Sequence, residues 1–469
     1  MKINLEDKIF ETISLAAAEL NIKAFVVGGY VRDSIIGRNS KDIDIVAVGS
    51  GIELARTVAN ILGIKKVAIF KTYGTAQINF GDVDIEFVGA RKESYDRNSR
   101  KPIVENGSLS DDQLRRDFTI NALAISLSKE DYGVVLDSFN GLNDIENRII
   151  RTPLEPGITF SDDPLRMIRA IRFASQLGFK IFDETYKAIT VNANRLEIVS
   201  SERIIDEFNK ILLSPKPSIG IEMLEETGLL ELFFPQLIHL KGVENVEGKM
   251  HKDNFAHTLQ VVDQISLISS DLWLRWSALL HDIGKPATKH FNKENGWTFH
   301  GHEVVGAKMV EEIFRKLRLP LNEKLKYVQK MVNLHLRPIA LVHEVVTDSA
   351  VRRLLFEAGE NIEDLMQLAE ADITSKNEKK VKLYLSNFKL VRKKLKEVEE
   401  KDRIRNMQPP VTGEEIMHIF NLPPCKIVGD LKNEIKDAIL DGLVSNEREA
   451  VLQYLFQIAR DKGIEPVTI

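Results

Sequence analysis

The feature that most constrains the fold is the alternation of acidic and apolar residues in the segment DIDIVAV, Asp42 to Val48. In a β-strand, side chains two positions apart point to the same face, so Asp42 and Asp44 share one face while Ile43 and Ile45 share the other. The segment follows FVVGGYVRD, in which a short apolar run ends in two glycines. The pattern predicts two strands joined by a glycine turn, with two carboxylates projecting from one face of a sheet.

These side chains favour a metal-dependent reaction of phosphate esters. Two carboxylates a few ångströms apart repel each other unless a cation lies between them, and Mg²⁺ is often held by one or two carboxylates together with phosphate oxygens and water. Gly28 and Gly29 let backbone N–H groups approach a phosphate, and Arg32 is placed to bind a triphosphate. A glycine turn, an arginine and a carboxylate pair together predict nucleotidyl transfer on two Mg²⁺ ions held by Asp42 and Asp44.

A third carboxylate is expected on a neighbouring strand. Asp82, Asp84 and Glu86 alternate in the sequence and are predicted to share a face, and Glu86 is the one we assign to catalysis. The strands of this N-terminal region are predicted at Ala24–Val27, Asp42–Val48, Val67–Phe70, Ala76–Phe80 and Asp84–Val88.

The length and the change of pattern along the chain predict four parts. A chain of 469 residues exceeds one compact domain. Strand and helix patterns mix up to about residue 150, and nearly all that follows is helical. We therefore predict a mixed α+β domain at 1–150, a helical domain at 151–235, a third domain at 236–375 and a helical tail at 376–469.

Composition excludes several classes of protein. The single cysteine, Cys425, cannot form an internal disulfide, which fits a reducing cytoplasm. No apolar run approaches the roughly 20 residues of a membrane span, and the N-terminus carries acidic residues unlike a signal peptide. The net charge of −5 means that a nucleic acid must be held by local basic patches. We predict a cytoplasmic protein with no membrane association, and the sequence gives no oligomeric state.

One basic patch lies between Lys376 and Arg405, where 12 Lys and Arg face only 5 Asp and Glu. Apolar residues recur there at helical spacing, at Val381, Leu385, Phe388, Val391, Leu395 and Val398. The pattern predicts a basic amphipathic helix. A solvated helix face is the simplest interpretation of such a charge run; the alternative is RNA binding through the phosphates by Lys393, Lys394 and Lys396.

The segment SDDPLRMIRAIRF, Ser161 to Phe173, offers a way to select bases. Asp163 followed by a proline predicts a helix start with Asp163 as N-cap, and Arg166, three residues on, would then lie on the same helix face. A carboxylate beside a guanidinium can pair with an amino donor next to a ring-nitrogen acceptor, which cytosine and adenine present and guanine and uracil do not. A surface salt bridge is the alternative. Arg169 and Arg172 continue a basic face suited to phosphates.

Eight of the ten histidines fall between His251 and His343, a window in which random placement would put about two. Imidazole and carboxylate side chains together suit divalent transition metals. The enrichment indicates that this window has a specific use for imidazole side chains.

Four stretches together identify the chain as similar to the class II tRNA nucleotidyltransferase and bacterial poly(A) polymerase family. They are GGYVRD followed by DIDI, RRDFTINALA (115–124), SDDPLRMIRAIRF (161–173) and ALLHDIGKPATK (278–289), and the resemblance covers most of residues 20 to 375. It implies a polymerase-β-type nucleotidyltransferase head with a small mixed sheet, an all-α neck, an HD domain and a helical tail that grips tRNA at its acceptor arm and elbow.

The resemblance also assigns roles to residues. Arg116, Asp117 and Asn121 would line the nucleotide site, although Asp117 is also a candidate helix N-cap. Asp163 and Arg166 would act as the amino-acid template for the base. The family usually has Glu-Asp where this chain has Asp162-Asp163, and this difference lies outside the pairing residues.

In the HD region, the resemblance implies a ligand set in chain order. The set consists of His257, His281, Asp282, His302, His335 and Asp372, with His300 as an alternative to His302. It would hold Mn²⁺, Ni²⁺, Fe²⁺, Co²⁺ or Mg²⁺ and activate a water for phosphoester hydrolysis. The alternative is an HD fold retained as a spacer.

The function we predict is addition of C, C and A to tRNA 3′ ends from CTP and ATP without a nucleic-acid template. Poly(A) polymerase and partial enzymes that add only CC or only A remain alternatives within the same class. A metal-dependent phosphohydrolase of RNA ends is an alternative of another class. A non-catalytic RNA-binding protein is disfavoured, because it has no use for two crowded carboxylates.

Overall fold

The structure is a computed structural model that describes residues 1–70, 74–94, 103–343, 347–374, 378–402, 404–405 and 407–467. The chain forms two compact units, Met1–Ile238 and His239–Ile469. None of the helices in the described ranges is long and apolar enough to cross a lipid bilayer.

The first unit begins with a mixed sheet and continues as helices. Its strands are β1 Lys23–Val27, β2 Asp42–Val48, β3 Ala68–Phe70, β4 Thr75–Phe80, β5 Val83–Gly89, β6 Arg91–Ser94, β7 Ile103–Asn106, β8 Ala124–Ser126, β9 Val135–Leu136, β10 Ile149–Ile150 and β11 Lys180–Ile181. Its helices are α1 Lys8–Glu19, α2 Gly29–Ile36, α3 Gly51–Leu62, α4 Leu109–Leu114, α5 Gly141–Glu146, α6 Pro156–Asp162, α7 Leu165–Leu177, α8 Asp183–Asn192, α9 Ser201–Leu212, α10 Pro217–Glu226, α11 Leu229–Phe233 and α12 Pro235–Ile238.

Seven strands form the main sheet in the order β3-β4-β5-β2-β1-β8-β9. Neighbouring strands are antiparallel except β2 and β5, which run parallel, because the chain crosses from one to the other through α3, β3 and β4. Helix α3 covers one face of the sheet and buries Leu54, Ala55, Val58 and Ala59. The alternation of β2 buries Ile43 and Ile45, so its two aspartates lie on the opposite face.

The five strands predicted from the sequence agree with β1 to β5 within one residue at every bound. One detail is wrong. Asp82 lies in the turn between β4 and β5, because β5 begins only at Val83, so Asp82 does not share a strand face with Asp84 and Glu86. The small mixed sheet predicted for this part is confirmed.

The start of α7 also differs from the prediction. The helix begins at Leu165, and Asp163 has extended backbone angles outside it. The Asp163 carboxylate still accepts a hydrogen bond from the Leu165 N–H, at 3.2 Å. Proline disfavours helical angles at the residue before it, which places Asp163 outside the helix, so Asp163 and Arg166 do not lie on one helix face.

In its described residues, the second unit is helical apart from two short hairpins. Its helices are α13 Asn254–Ile268, α14 Leu272–Leu280, α15 Lys285–Thr288, α16 His302–Lys316, α17 Glu323–Leu334, α18 Leu336–His343, α19 Asp348–Ala358, α20 Ile362–Ala371, α21 Glu378–Asp402, α22 Gly413–Phe420, α23 Lys426–Leu440 and α24 Arg448–Asp461. Its hairpins pair β12 Asn245–Val246 with β13 Lys249–Met250, and β14 His290–Asn292 with β15 Gly296–Thr298.

The predicted basic helix is α21, and its apolar stripe packs inward. Phe388, Val391, Leu395 and Val398 are buried, whereas Leu385 is 39% exposed and is not part of the core as predicted. Lys376, the predicted start, lies outside the described residues. The helix packs against α18 and α19.

Candidate functional site

The parallel pairing of β2 with β5 brings the predicted carboxylates together. Asp42 lies opposite Asp84 and Asp44 lies opposite Glu86 in the register of the two strands. Neighbouring strands are about 4.8 Å apart, so Asp44 and Glu86 are side by side on one face of the sheet. Asp84 accepts a hydrogen bond from Asn79 at 2.9 Å. The structure thus groups Asp42, Asp44 and Glu86 in one cluster.

Burial, and to a lesser extent neighbouring negative charge, shifts the protonation equilibria of this cluster. Burial, with the charge of Asp42 added, raises the pKa of Asp44, and Arg116 opposes the shift. Burial and the charge of Asp44 raise the pKa of Glu86, and Arg91 opposes that shift. A cation between the carboxylates would relieve this repulsion. The all-oxygen donor set fits a hard divalent cation.

The glycine turn lies directly against Asp44 on the β1 side. Gly28 has φ +76°, and a Cβ built on it would lie 2.9 Å from Asp44 Oδ2 and 3.1 Å from Arg116 Nη1. Only glycine fits such a position without displacing its neighbours. Gly29 begins α2. The N–H groups of the first helical turn, which have no partner within the helix, therefore lie beside the carboxylates.

Arg116 is held in place by a buried acid that the sequence analysis did not single out. Asp112 is fully buried and forms ion pairs with Arg115 at 2.5 Å and Arg116 at 3.0 Å. Burial raises the pKa of Asp112, but the two arginines outweigh burial and hold it below its usual value. The acid could have been identified from its spacing in DDQLRR, where Asp112 precedes the arginines by three and four residues.

A chain of hydrogen bonds links the other predicted nucleotide-site residues. Arg32 donates to Asn121 Oδ1 at 2.7 Å, and Asn121 donates to Asp117 Oδ1 at 2.9 Å. Arg169 donates to Asp117 Oδ2 through Nε at 2.8 Å. Arg32 also pairs with Asp33 at 2.8 Å. These residues therefore form one connected polar network.

Asp117 is the centre of that network. It accepts the Phe118 N–H at 2.9 Å, but the short helix that follows is Thr119–Asn121 with Phe118 at its cap, so Asp117 is not the N-cap. Burial alone would raise the pKa of Asp117, yet Arg169 and the Asn121 amide lower it to about 2. Asp117 is therefore ionised at neutral pH.

Arg169 and Arg172 face carboxylates in the structure. Arg172 lies 3.1 Å from Glu207 Oε2, and burial lowers the pKa of Arg172 to about 10 even though Glu207 opposes the shift. The ring of Phe173 has guanidinium groups over it, with Arg172 at 4.1 Å and Arg32 at 4.9 Å from the ring centre. Phe173 was not predicted as a site residue, although it ends the quoted RMIRAIRF segment.

The two residues predicted to read the base have separate contacts. Arg166 Nη2 donates to the carbonyl oxygen of Arg115 at 2.7 Å, which joins α7 to the segment that carries Arg116. Asp163 Oδ2 lies 3.6 Å from Arg203. Arg166 is nearly buried, while the Asp163 carboxyl is 21% exposed.

In the second unit, the structure brings all six predicted HD residues together. They form two groups, one of His257, His281 and Asp372 and one of Asp282, His302 and His335. Within each group, the ligand atoms lie within 4.8 Å of one another. Asp282 connects the groups, because its Oδ2 is 3.2 Å from His281 and its Oδ1 is 3.2 Å from His302. His300, the alternative to His302, is exposed.

Helix ends orient the imidazoles. His281 and His335 directly follow α14 and α17, where the last carbonyl groups lack helical partners. Their Nδ1 atoms bond to the carbonyls of Ala278 at 2.8 Å and Val332 at 2.7 Å. The Nε2 atoms are thereby directed into the cluster, as in metal-binding histidines.

Three further contacts complete the cluster. His302 bonds the Phe299 carbonyl through Nδ1 at 2.8 Å, and His257 bonds Thr374 through Nδ1 at 2.6 Å and Asp372 through Nε2 at 2.8 Å. Thr374 was not predicted, and only the spatial arrangement identifies it.

Burial and mutual charge interactions shift the pKa values of the side chains in this cluster. Burial lowers the pKa of His281, but Asp282 and Asp372 outweigh burial and raise it to about 10. Burial and the charge on His281 lower the pKa of His335 to about 4. Within the described part of the chain, His281 Nε2 makes no well-aligned hydrogen bond despite complete burial. Three imidazole and carboxylate donors in each group fit a divalent metal.

The predicted RNA-binding lysines lie on α21. Lys393 and Lys396 are 75% and 79% exposed in their side chains, with loose contacts to Glu397 and Glu400 at 3.7 and 3.8 Å. Lys394 forms a closer pair with Asp348 at 2.7 Å. Lys393 and Lys396 therefore face solvent, while Lys394 is partly neutralised.

Family models match three parts of the chain. Residues 24–151 match the poly A polymerase head domain, residues 178–240 match a probable RNA and SrmB-binding site of polymerase A, and residues 254–407 match the HD domain. The HD match includes α21, which is predicted as part of the tail.

Similarity to curated proteins extends over nearly the whole chain. An A-adding tRNA nucleotidyltransferase of Deinococcus radiodurans is 31% identical over 91% of this chain and 94% of its own length. The chain belongs to the tRNA nucleotidyltransferase family. An A-adding tRNA nucleotidyltransferase of Aquifex aeolicus is 33% identical over 73% of this chain, which spans only 44% of that protein. A multifunctional CCA protein of Shewanella frigidimarina is 32% identical over 64% of this chain and 70% of its own length.

Solved structures of tRNA nucleotidyltransferases share the fold. One, of a tRNA nucleotidyltransferase complexed with a primer tRNA and an incoming ATP analogue, is 26% identical with a TM-score of 0.57 over 81% of this chain and 99% of that one. A Bacillus stearothermophilus CCA-adding enzyme in complex with CTP is 23% identical with a TM-score of 0.68 over 97% and 99% of the two chains, and this likeness concerns the fold.

These findings confirm the predicted family, its fold class with an HD domain, and the assignment as a nucleotidyltransferase. Enzymes of this family use divalent metal ions, and the carboxylate cluster on β2 and β5 has the donor set for them.

Proposed function

We propose that this tRNA nucleotidyltransferase adds C, C and A to the 3′ end of tRNA from CTP and ATP, with Mg²⁺ as the metal of the head. The observation that carries the proposal is the position of Asp44, which has Glu86 beside it on β5 and Gly28 beside it at the start of α2. A metal site and a phosphate site therefore adjoin at one side chain.

The residues of the head have complementary roles in this reaction. Asp42 and Asp44, with Glu86 beside them, would hold Mg²⁺, and the ion would supply charge stabilisation for the attacking oxygen and the leaving pyrophosphate. The N–H groups at the start of α2 and the guanidinium groups of Arg32 and Arg116 bind the triphosphate. The tRNA 3′ oxygen bonds to the α-phosphorus, the bond to the β-phosphate oxygen breaks, and the hydroxyl proton is released to water.

Base selection falls to Asp163 and Arg166. The contact of Arg166 with the Arg115 carbonyl orients a guanidinium toward the segment that carries Arg116. Asp163 would accept from the exocyclic amino group of C or A while Arg166 donates to the ring nitrogen. Guanine and uracil would present the reverse pattern, an acceptor to Asp163 and a donor to Arg166, which is less favourable than a weakened contact.

The test uses an end-labelled tRNA that lacks its CCA end, with Mg²⁺ and with each nucleoside triphosphate alone or combined. We expect two additions with CTP alone and a stop after three with CTP and ATP, resolved on a sequencing gel. A long ladder with ATP alone would indicate a poly(A) polymerase, which the relatives do not favour. Asp44→Asn is the inactive reference, because it keeps the shape of the side chain and removes its charge.

Addition of A alone is a second candidate, since the relatives from Deinococcus and Aquifex carry the name A-adding. The same assay separates the two. An enzyme that adds A only will extend a tRNA ending in CC with ATP and leave a tRNA that lacks CCA unchanged with CTP.

We further propose that the HD domain is a metal-dependent phosphohydrolase of RNA or nucleotide phosphoesters. Support comes from the two adjoining ligand groups bridged by Asp282 and from the three imidazoles whose Nδ1 atoms are tied to backbone carbonyls. A divalent transition metal such as Mn²⁺, Ni²⁺, Fe²⁺ or Co²⁺, or Mg²⁺, would activate water there. An HD fold acting only as a spacer has no use for two adjoining groups of three ligands.

His281→Ala should abolish hydrolysis of a chromogenic phosphodiester in the presence of every metal ion tested. CCA addition by this variant should continue. His300→Ala, a change of an exposed histidine outside the cluster, is the matched control. If the wild-type protein, freed of metal and then reloaded with each ion in turn, hydrolyses no phosphoester, the hydrolase proposal is wrong.

The acceptor arm and elbow of tRNA are proposed to contact α21 through Lys393, Lys394 and Lys396. The charge-reversing pair Lys393→Glu and Lys396→Glu should raise the Kd for tRNA and flatten its dependence on salt by about one logarithmic unit of slope per lost phosphate contact. Lys129→Glu, which reverses the charge of an exposed lysine distant in sequence from α21, is the control. An unchanged salt slope would exclude the helix as a tRNA contact.

The four-part division at residues 150, 235 and 375 and a cytoplasmic location are proposals of the same kind. Limited proteolysis, with mass spectrometry of the fragments, tests the division.

A further inference from the structure

A groove beside the carboxylate cluster has no role in the reaction as described so far. It has a volume of about 430 Å³ and is lined by Phe70, Thr75, Gln77, Glu86 and Arg91. This volume lies within the range of about 300–1,000 Å³ of small-ligand clefts. Glu86 belongs to both the groove and the cluster, so whatever occupies the groove reaches the carboxylates.

Strand order places the groove on the far side of Asp44 from the glycine turn. β2 is flanked by β1 on one side and by β5, β4 and β3 on the other. The register sets Asp44, Glu86 and Gln77 in one row across three strands. With about 4.8 Å between strands, Gln77 is roughly 10 Å from Asp44. A triphosphate bound beside Gly28 therefore leaves the β3–β5 side to a second reactant.

The groove offers the contacts that a nucleotide requires. Phe70 is 48% exposed, which is unusual for a phenylalanine and makes its ring available for stacking. The Gln77 amide carries both donors and an acceptor for a ribose or base. Arg91 lines the groove together with Glu86, so its guanidinium brings positive charge to the wall along which a phosphodiester would pass.

We propose that this groove binds the 3′-terminal nucleotide of the RNA acceptor, with its base stacked on Phe70, its ribose beside Gln77 and its 3′ hydroxyl at Glu86. The inference rests on the proposed function, in which a 3′ hydroxyl attacks at the carboxylate cluster. Phe70 and Gln77 are then binding residues for the acceptor and not for the incoming nucleotide.

A stacking platform suits the task, because the terminal base changes during the reaction. An enzyme that adds three nucleotides meets first the base preceding CCA, then C, then C again. Stacking tolerates any base, since every base has a π-face, whereas hydrogen-bond readout would favour one of them. Selection of the incoming base can therefore reside with Asp163 and Arg166 alone.

The first experiment measures the kinetics of Phe70→Ala, Phe70→Trp and Ile61→Ala. Ile61 lies on α3 and is also 48% exposed, so its variant controls for loss of an exposed apolar side chain. We expect Phe70→Ala to lower kcat/KM for tRNA by about 10- to 100-fold, the range for loss of base stacking. The KM for CTP and ATP should stay within about twofold, and Phe70→Trp should restore the rate. An unchanged kcat/KM for tRNA, or a loss that appears in the KM of the nucleotides, would overturn the proposal.

The second experiment does not depend on turnover. A tRNA transcript whose last nucleotide is 4-thiouridine is irradiated with the full-length protein, and the cross-linked peptide is identified by mass spectrometry. Cross-linking to the peptide that contains Phe70 or Gln77, and its loss in Phe70→Ala, supports the groove. A cross-link to α2 or α7 instead would refute it.

The two experiments separate this inference from the proposed function. A wild-type protein that adds no nucleotide but cross-links at Phe70 or Gln77 would refute CCA addition and leave the groove as the site of the RNA end. A protein that adds CCA, shows normal Phe70→Ala kinetics and cross-links elsewhere would leave the function intact and refute the groove.

Discussion

Replacement of Gly28 by alanine tests how the carboxylate cluster depends on the turn that touches it. Two glycines with positive φ flank α2, Gly28 at +76° and Gly37 at +73°. A side chain in such conformations costs about 1–3 kcal/mol at the first position and about 1–2 kcal/mol at the second. Both variants should therefore lose a similar amount of stability.

Activity should separate the two variants. A Cβ at position 28 would lie 2.9 Å from Asp44 Oδ2 and 3.1 Å from Arg116 Nη1, whereas a Cβ at position 37 meets nothing within 4 Å. Ordinary contacts begin at about 3.4 Å, so Asp44 must move by several tenths of an ångström. Since misplacement by about 1 Å can cost 10²-fold in rate, we expect Gly28→Ala to slow addition on the order of 10- to 100-fold. Gly37→Ala should remain within about twofold of wild type.

The assay is single-turnover addition of C to end-labelled tRNA at saturating CTP. Stability is followed by circular dichroism in urea, and tryptophan fluorescence provides a reference, because Trp273, Trp276 and Trp297 all belong to the second unit. If Gly28→Ala adds C as fast as Gly37→Ala at equal stability, the contact between the turn and Asp44 does not govern catalysis.

Three further outcomes are expected. The pKa of Asp117 is about 2 in the folded state against 3.8 when unperturbed, so its ionised form contributes about 2 kcal/mol to the free energy of unfolding above pH 4. This contribution is lost as the pH falls from about 4 toward 2. Urea titrations of Asp117→Asn should therefore show a flatter dependence of stability on pH in that range. Arg166→Ala should raise incorporation of U relative to C by about tenfold or more, measured by competition of UTP with CTP; unchanged selectivity would remove Arg166 from base reading. His335→Ala should reduce the Mn²⁺ bound at the HD cluster by one ion in calorimetric titration, with the group of His257, His281 and Asp372 still loaded; equal stoichiometry would contradict a two-ion cluster.

The local sequence pattern was sufficient to predict strands in which buried and exposed side chains alternate. The alternation of β2 and β5 predicted both strands and the shared face of Asp42 and Asp44, because period-two burial leaves few other folds for such segments. The same reasoning placed Asp82 on a strand when it lies in a turn, since sequence pattern locates strand ends poorly.

Contacts that join distant segments could not be predicted in this way. The Asp117–Arg169 and Arg172–Glu207 pairs connect residues 52 and 35 positions apart, so no local period records them. Phe173 sits under several guanidiniums for the same reason. At the HD cluster the family resemblance predicted the ligands. The contact of Thr374 with His257 could be identified only from the packing of the helices.

Metal binding by the carboxylate cluster depends on the parallel register of β2 and β5. Asp44 and Glu86 are 42 positions apart and meet only when these strands pair as observed. A slip of one residue would turn Glu86 to the face covered by α3 and leave Asp44 beside an apolar side chain. Recovery of divalent-cation binding at the head after refolding would thus report that the strands have paired in register, before any substrate is added.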